Sequence, residues 1–289
     1  LMASGKLQTL CYKADIEAAL RTKGMAGFQL LDLHDFPGQG TALVGVLDAF
    51  WDEKGYVTPE EFKQFSGKTV PLARLEKRTF ENKETLSATI EIAHFGEKAL
   101  QNVTPKWTFT KPDGSIFSKG ELKITNIPLG YGTQLGVINQ SFKKITKAQK
   151  LTLSIAVNEF KNSWDVWVYP TEKPTIETTK NYKITSKLDE KTLAYLKNGG
   201  SVLLNITKGD ITSEYGGEIG IGFSSIFWNT SWTKEQKPHT LGILCDPKHP
   251  ALAHFATEYH SNWQWWDAMS HSNAIIFDEI PEINPIVRV

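Results

Sequence analysis

Gly27-Phe28-Gln29-Leu30-Leu31-Asp32-Leu33-His34-Asp35-Phe36-Pro37-Gly38-Gln39-Gly40 reads as a buried strand that ends in polar groups and passes into a Gly/Pro loop. The C-terminal rim of a (β/α)8 barrel presents its chemistry in this way. A barrel needs a full ring of such units, and there is room for only one before this segment. Either the segment belongs to another architecture, or the chain opens inside an enzyme whose front lies outside it.

Working outward, Leu7 to Arg21 places Leu7, Leu10, Cys11, Ala14, Ala18 and Ala19 at near-helical spacing with charges between them. Thr22-Lys23-Gly24 stops this helix, the glycine suiting a left-handed cap. Phe28 to Leu33 then supplies the strand of a helix-then-strand unit. Pro59-Glu60-Glu61 opens a short second helix, with Thr58 as N-cap and proline at the first helical position. Residues 1–70 are accordingly expected to be the tail of a barrel domain.

The texture changes after Pro71. Leu86, Ala88, Ile90 and Ile92 alternate with Ser87, Thr89 and Glu91, the pattern of a half-buried strand. Trp107-Thr108-Phe109-Thr110 alternates too, and Lys111-Pro112-Asp113-Gly114 makes the turn of a hairpin. Leu151, Leu153, Ile155 and Val157 repeat the pattern, and Trp164 to Tyr169 is a closing strand apolar on both faces. An inward face of Leu86, Ile90, Trp107, Phe109, Leu153 and Ile155 follows. Short strands without helical periodicity predict an immunoglobulin-like β-sandwich over residues 71–172. Thr171 to Thr179, rich in Thr and Pro, is a linker. Beyond it, a helix at Asp189–Lys197, the stop Asn198-Gly199-Gly200 and an apolar strand at Ser201–Ile206 predict an open α/β accessory domain over residues 173–289, itself cut short.

Lysine plus arginine equals aspartate plus glutamate at 32 each, so no global field recruits nucleic acid or an anionic membrane. No apolar run approaches the ~20 residues of a membrane-spanning helix, and Leu1 to Lys6 is too short for a secretory signal. Cys11 and Cys245 are read as buried thiols rather than a disulfide framework. In Asp52 to Glu61, aligning Gly55 with the invariant glycine of a calcium loop leaves Phe50 and Lys54 where oxygen ligands are required, so a turn and capped helix is preferred. Gly216-Gly217-Glu218-Ile219-Gly220-Ile221-Gly222 lacks the Gly-Lys-Ser/Thr of a phosphate loop and reads as a turn. His249, His254, His260 and His271 include no i, i+4 pair of the zinc-protease kind, so neither metal nor cofactor is expected.

Two groups retain functional interest. Tyr259, Trp263, Trp265 and Trp266 form the densest aromatic cluster. Packing between domains is the preferred reading, and a carbohydrate platform the alternative. Asp32 and His34 share a strand face, with Asp35 beyond them at the rim. They either orient sugar hydroxyls at a pocket mouth or clamp the Gly38-Gln39-Gly40 loop, and the sequence leaves both open.

Tyr12 to Thr22 running into Gly27 to Ala42 resembles the last βα units of beta-galactosidase-like enzymes of glycoside hydrolase family 2. Gly242-Ile243-Leu244-Cys245-Asp246-Pro247-Lys248-His249-Pro250-Ala251-Leu252, with Glu258 to Asp267, resembles a downstream accessory domain of the same proteins. The resemblance implies hydrolysis of β-glycosidic bonds, a carbohydrate partner and a periplasmic or secreted location. It also implies that the acid/base and nucleophile glutamates of a retaining mechanism precede Leu1, which leaves Asp32, His34 and Asp35 as sugar contacts on a fragment inactive by itself. A non-catalytic carbohydrate-binding or scaffolding module is the alternative.

Overall fold

Alternating apolar residues become paired strands throughout residues 69–169. In a computed structural model, which describes residues 1–31, 33–39, 44–172, 182–207, 209–217, 219–222 and 239–289, this region holds β1 (Thr69–Leu75), β2 (Thr79–Glu81), β3 (Thr85–His94), β4 (Leu100–Val103), β5 (Lys106–Thr110), β6 (Ile116–Glu121), β7 (Thr125–Ile127), β8 (Gly130–Ser141), β9 (Gln149–Val157) and β10 (Phe160–Tyr169). One sheet has the order β1-β3-β8 and the other β2-β10-β9-β5-β6, while β4 and β7 pair separately. Pairing in the two sheets is antiparallel except between β2 and β10.

Parity decides what these sheets enclose. Leu86, Ala88, Ile90 and Ile92 point from β3 into the same core as Phe109, Leu151, Leu153 and Ile155 from the facing sheet. Each fully buried Leu or Ile contributes about 1.5–3 kcal/mol. Trp107 packs against this core as expected, but half-buried at its margin. Its partner across β5 and β6 is Gly120, and a Cβ there would lie 2.6 Å from the Trp107 ring. The glycine makes room for the indole.

Helix α1 (Met2–Arg21) begins earlier than its sequence periodicity predicts. Its Ile16 and Leu20 pack with Phe65 of α2 (Pro59–Ser66) and with Val70, Leu72 and Ala93, on the sheet face turned away from the main core. Thr58 caps α2: its hydroxyl accepts from Glu61 N at 3.2 Å, and Glu61 Oε2 accepts from Thr58 N at 3.0 Å. Glu61, the would-be calcium ligand, closes this capping box.

The expected barrel tail is overturned. Among the described residues of Phe28–Leu33 no strand forms; His34 makes a single bridge to Leu47, and no described strands close into a (β/α)8 ring. Phe28 and Leu31 are 44% and 65% exposed. The physical reason is that an apolar run becomes a strand only when a neighbour takes up its backbone donors and acceptors, and no described strand lies alongside this one.

The C-terminal expectation is corrected as well. β11 (Tyr182–Thr185), α3 (Glu190–Lys197) and β12 (Ser201–Leu204) form a βαβ unit with its two strands parallel, and Asp189 caps α3 by accepting from Thr192 N at 2.8 Å. β12 is not the buried strand expected, since Leu203 is exposed. Instead of one open sheet, the described residues hold separate two-stranded sheets: β11 with β12, β13 (Gly220–Gly222) with β14 (His239–Leu241), and β15 (Leu244–Cys245) with β16 (Val287–Arg288). Ile243, Cys245, Trp265 and Met269 of α4 (Trp266–Ser270) share a small core. Residues 173–179 of the expected linker and Glu218 of the glycine turn lie outside the described residues. Among the described residues, no helix is long and apolar enough to cross a membrane.

Candidate functional site

Helical spacing puts one carboxylate on the wrong side of α1. Glu17 lies beside Ile16 and Leu20 on the buried face and is only 2% exposed. Its charge is met from three directions. Lys13 Nζ donates to Oε1 at 2.5 Å, and Arg21 Nη1 reaches Oε2 at 3.5 Å. From β10, Asn162 Nδ2 donates to Oε1 at 2.8 Å and Trp164 Nε1 to Oε2 at 2.9 Å. Asn162 and Trp164 share an inward face of β10, so one strand register delivers both. Asn162 also accepts from Lys13 and donates to the Pro71 carbonyl at 2.8 Å. Lys13 Nζ lies 4.9 Å from the Trp164 ring centroid. Burial opposes the charge of Lys13 and pushes its pKa down, against the pull of Glu17.

This network forms one wall of a cleft of about 310 Å³ between α1, α2, β10 and the 258–263 segment. On the other side, Lys150 Nζ bridges Glu258 at 2.5 Å and Asp165 at 3.3 Å. Asp165 also accepts from Thr152 Oγ1 at 2.7 Å. Lys150 is raised by these two carboxylates, although burial works against it. Lys6 and Glu61 stand 3.7 Å apart. Arg78, from the β1–β2 connection, donates from Nη1 to the Asp165 carbonyl at 3.2 Å. His260, Asn262 and Trp263 complete the lining.

The tryptophan cluster divides. Trp265 is a core residue, packed edge-on against Phe255 at 4.6 Å with Nε1 donating to Thr257 Oγ1 at 2.8 Å. Trp263 lines the cleft, and Trp266 is 53% exposed with its ring centroid 6.4 Å from that of Trp263. Tyr259 meets His260 edge to face at 4.9 Å.

Of the residues singled out at the predicted barrel rim, His34 and Asp35 do not line this cleft. Asp32 lies outside the described residues. Buried Asp35 accepts from Gly45 N at 2.9 Å and Lys54 Nζ at 2.6 Å, while Lys54 and Tyr56 both donate to the Gly45 carbonyl. Asp35 thus ties the 44–56 segment. His34 leans on Trp51, with ring centroids 4.4 Å apart. Burial pushes the Cys11 thiol up to about 11, and Cys245 is also raised by burial. Among the described residues, no three His, Cys, Asp or Glu side chains gather as a metal site.

Sequence reasoning passed over Lys13, Arg78, Lys150, Asn162 and Asp165. A usable signal was present in two places: a glutamate inside the apolar stripe of α1, and an asparagine at an inward position of β10.

Residues 84–170 match a domain of unknown function, DUF8488, and residues 183–289 match a second, DUF8487. No curated protein matches the chain. Among solved structures, an alkylpurine DNA glycosylase, AlkC, from Pseudomonas fluorescens is similar at 9% identity and a TM-score of 0.29, over 35% of this chain and 30% of that one. The CARDB domain of a Pyrococcus furiosus protein is similar at 9% identity and a TM-score of 0.28, over 35% and 86%. A beta-glucuronidase of glycoside hydrolase family 2 is similar at 15% identity and a TM-score of 0.23, over 34% and 11%. This chain therefore spans less than a third of the glycosylase and about a tenth of the glucuronidase. The likeness to the family 2 enzyme is weak.

Proposed function

We propose that this chain is a carbohydrate-binding part of a beta-galactosidase-like glycosidase and that the cleft beside Trp263 receives the sugar. The observation that carries this reading is the combination of an indole, an amide and several charged groups around one 310 Å³ hollow. Sugar rings present an apolar C–H face to an aromatic plane and hydroxyls to polar groups, and ligand clefts of this size combine the two.

Binding is favoured over hydrolysis by these residues because each carboxylate lining the cleft is held by a cation. Glu17 is held by Lys13 and Arg21, Asp165 and Glu258 by Lys150, and Glu61 by Lys6. A retaining glycosidase needs one carboxyl to give a proton and another to attack carbon. In the parent enzyme those glutamates would come from outside these residues.

Calorimetric titration with β-linked galacto- and gluco-oligosaccharides tests the reading. Binding is expected, with Trp263→Ala weakening it about 30-fold, as loss of an aromatic anchor does. Nitrophenyl β-galactoside should not be turned over. Absence of binding, or equal binding by Trp263→Ala, would sink the proposal.

A further inference from the structure

Among the residues lining the cleft are three cations, Lys13, Arg78 and Lys150, and three carboxylates, Glu17, Asp165 and Glu258. Lys13 and Lys150 are held in ion pairs; Arg78 is in none among the described residues. The carboxylates that act on Arg78 are Glu17 and Asp165, and both are already bonded to other groups. One donor of the guanidinium goes to the Asp165 carbonyl, leaving the fork otherwise uncommitted. Lys6 and Glu61 at the mouth balance each other, and burial keeps His260 on the neutral side. Glu76, near Arg78 on a neighbouring hollow, is exposed to solvent.

We propose that Arg78 anchors an anion subsite in the cleft, which takes the carboxylate of an acidic sugar residue in a glycan. A planar guanidinium matches a carboxylate through two parallel hydrogen bonds, and a lysine cannot reproduce that fork. The reduced dielectric of the cleft strengthens such a pair. Burial pushes the Arg78 pKa down against the pull of Glu17 and Asp165, and an anion on the open side of the fork offsets that burial. The sugar part of this assignment rests on the carbohydrate reading above; the anion part rests on Arg78.

Calorimetry at low salt with trigalacturonate and neutral galactotriose tests it, with a 6-sulfated galactose probe to separate carboxylate from sulfate. The acidic trisaccharide is expected to bind at least tenfold tighter than the neutral one and tighter than the sulfated sugar. Arg78→Gln should bring acid and neutral affinities within about twofold, and Arg78→Lys should cut the preference at least threefold while keeping the charge. Melting curves of both variants check folding; if Arg78→Gln does not fold, the Arg78→Lys ratio decides. Equal affinity of the parent for acid and neutral sugars, or an unchanged preference in the folded variants, overturns the subsite while leaving the carbohydrate reading standing. A stronger response to the sulfated probe overturns the choice of carboxylate. Binding of no probe at all overturns both readings together.

Discussion

Leu86–Ile92 and Phe28–Leu33 carry comparable apolar weight, and the molecule treats them in opposite ways. The first is the middle of β3, paired on both sides by β1 and β8, with Leu86, Ala88, Ile90 and Ile92 completely buried. The second joins no sheet among the described residues, and its Phe28 and Leu31 face solvent. Apolar content alone does not make a strand. What separates the two is whether neighbouring backbone meets the N–H and C=O groups of the run.

The largest expected effect sets the two regions directly against each other. Leu153→Asp places an unpaired charge in the completely buried core and should leave the protein unfolded at ordinary temperature. Leu31→Asp, at an exposed position, should change stability by less than about 0.5 kcal/mol. Chemical denaturation of both variants reads the contrast. If Leu31→Asp is as damaging as Leu153→Asp, the leading segment is buried in solution and the comparison fails.

The next effect tests what joins the leading region to the sandwich. Glu17→Ala removes the acceptor shared by Lys13, Arg21, Asn162 and Trp164 and strands the buried cation of Lys13. Breaking one side of a buried pair costs about 3–5 kcal/mol, so a large fall in denaturation midpoint is expected. A loss below about 1 kcal/mol would mean that α1 is held by Ile16 and Leu20 alone.

The smallest effect concerns the C-terminal wall of the cleft. His260 is buried, with Nδ1 2.9 Å from the Ser261 carbonyl, and burial holds its pKa below the ordinary histidine value. The unfolded chain then binds more protons below about pH 6.5. Stability from this group is therefore present above that pH and is lost as pH falls through the lower folded value. Melting temperature should drop between about pH 7.5 and about pH 5.5, and His260→Gln should drop less. Identical profiles would remove His260 from the account.

These contrasts mark what the sequence made legible. The alternation in β3, β5 and β9, the Pro112-Asp113-Gly114 turn and the Thr58 cap are local signals, and each matches a described element. The barrel expectation failed because it depended on partner strands that one segment cannot reveal. The partial burial of Trp107 was hidden for a related reason: parity gives its face, but its depth depends on Gly120 across the hairpin. The cleft was hidden because its residues are far apart in sequence and individually ordinary. Lys150 finds Glu258 only after the chain has crossed β9 and β10 and continued to the C-terminal region.

The bond from Asn162 to Glu17 has a further consequence, for the order of events during synthesis. Its ends are separated by 145 positions. At roughly 5–20 residues per second, Glu17 is made roughly 7–30 seconds before Asn162. Throughout that interval the carboxylate has neither of its β10 donors, and Ile16 and Leu20 have only Phe65, Val70, Leu72 and Ala93 to pack against. α1 is therefore made well before the strand that completes the bonding of its buried carboxylate.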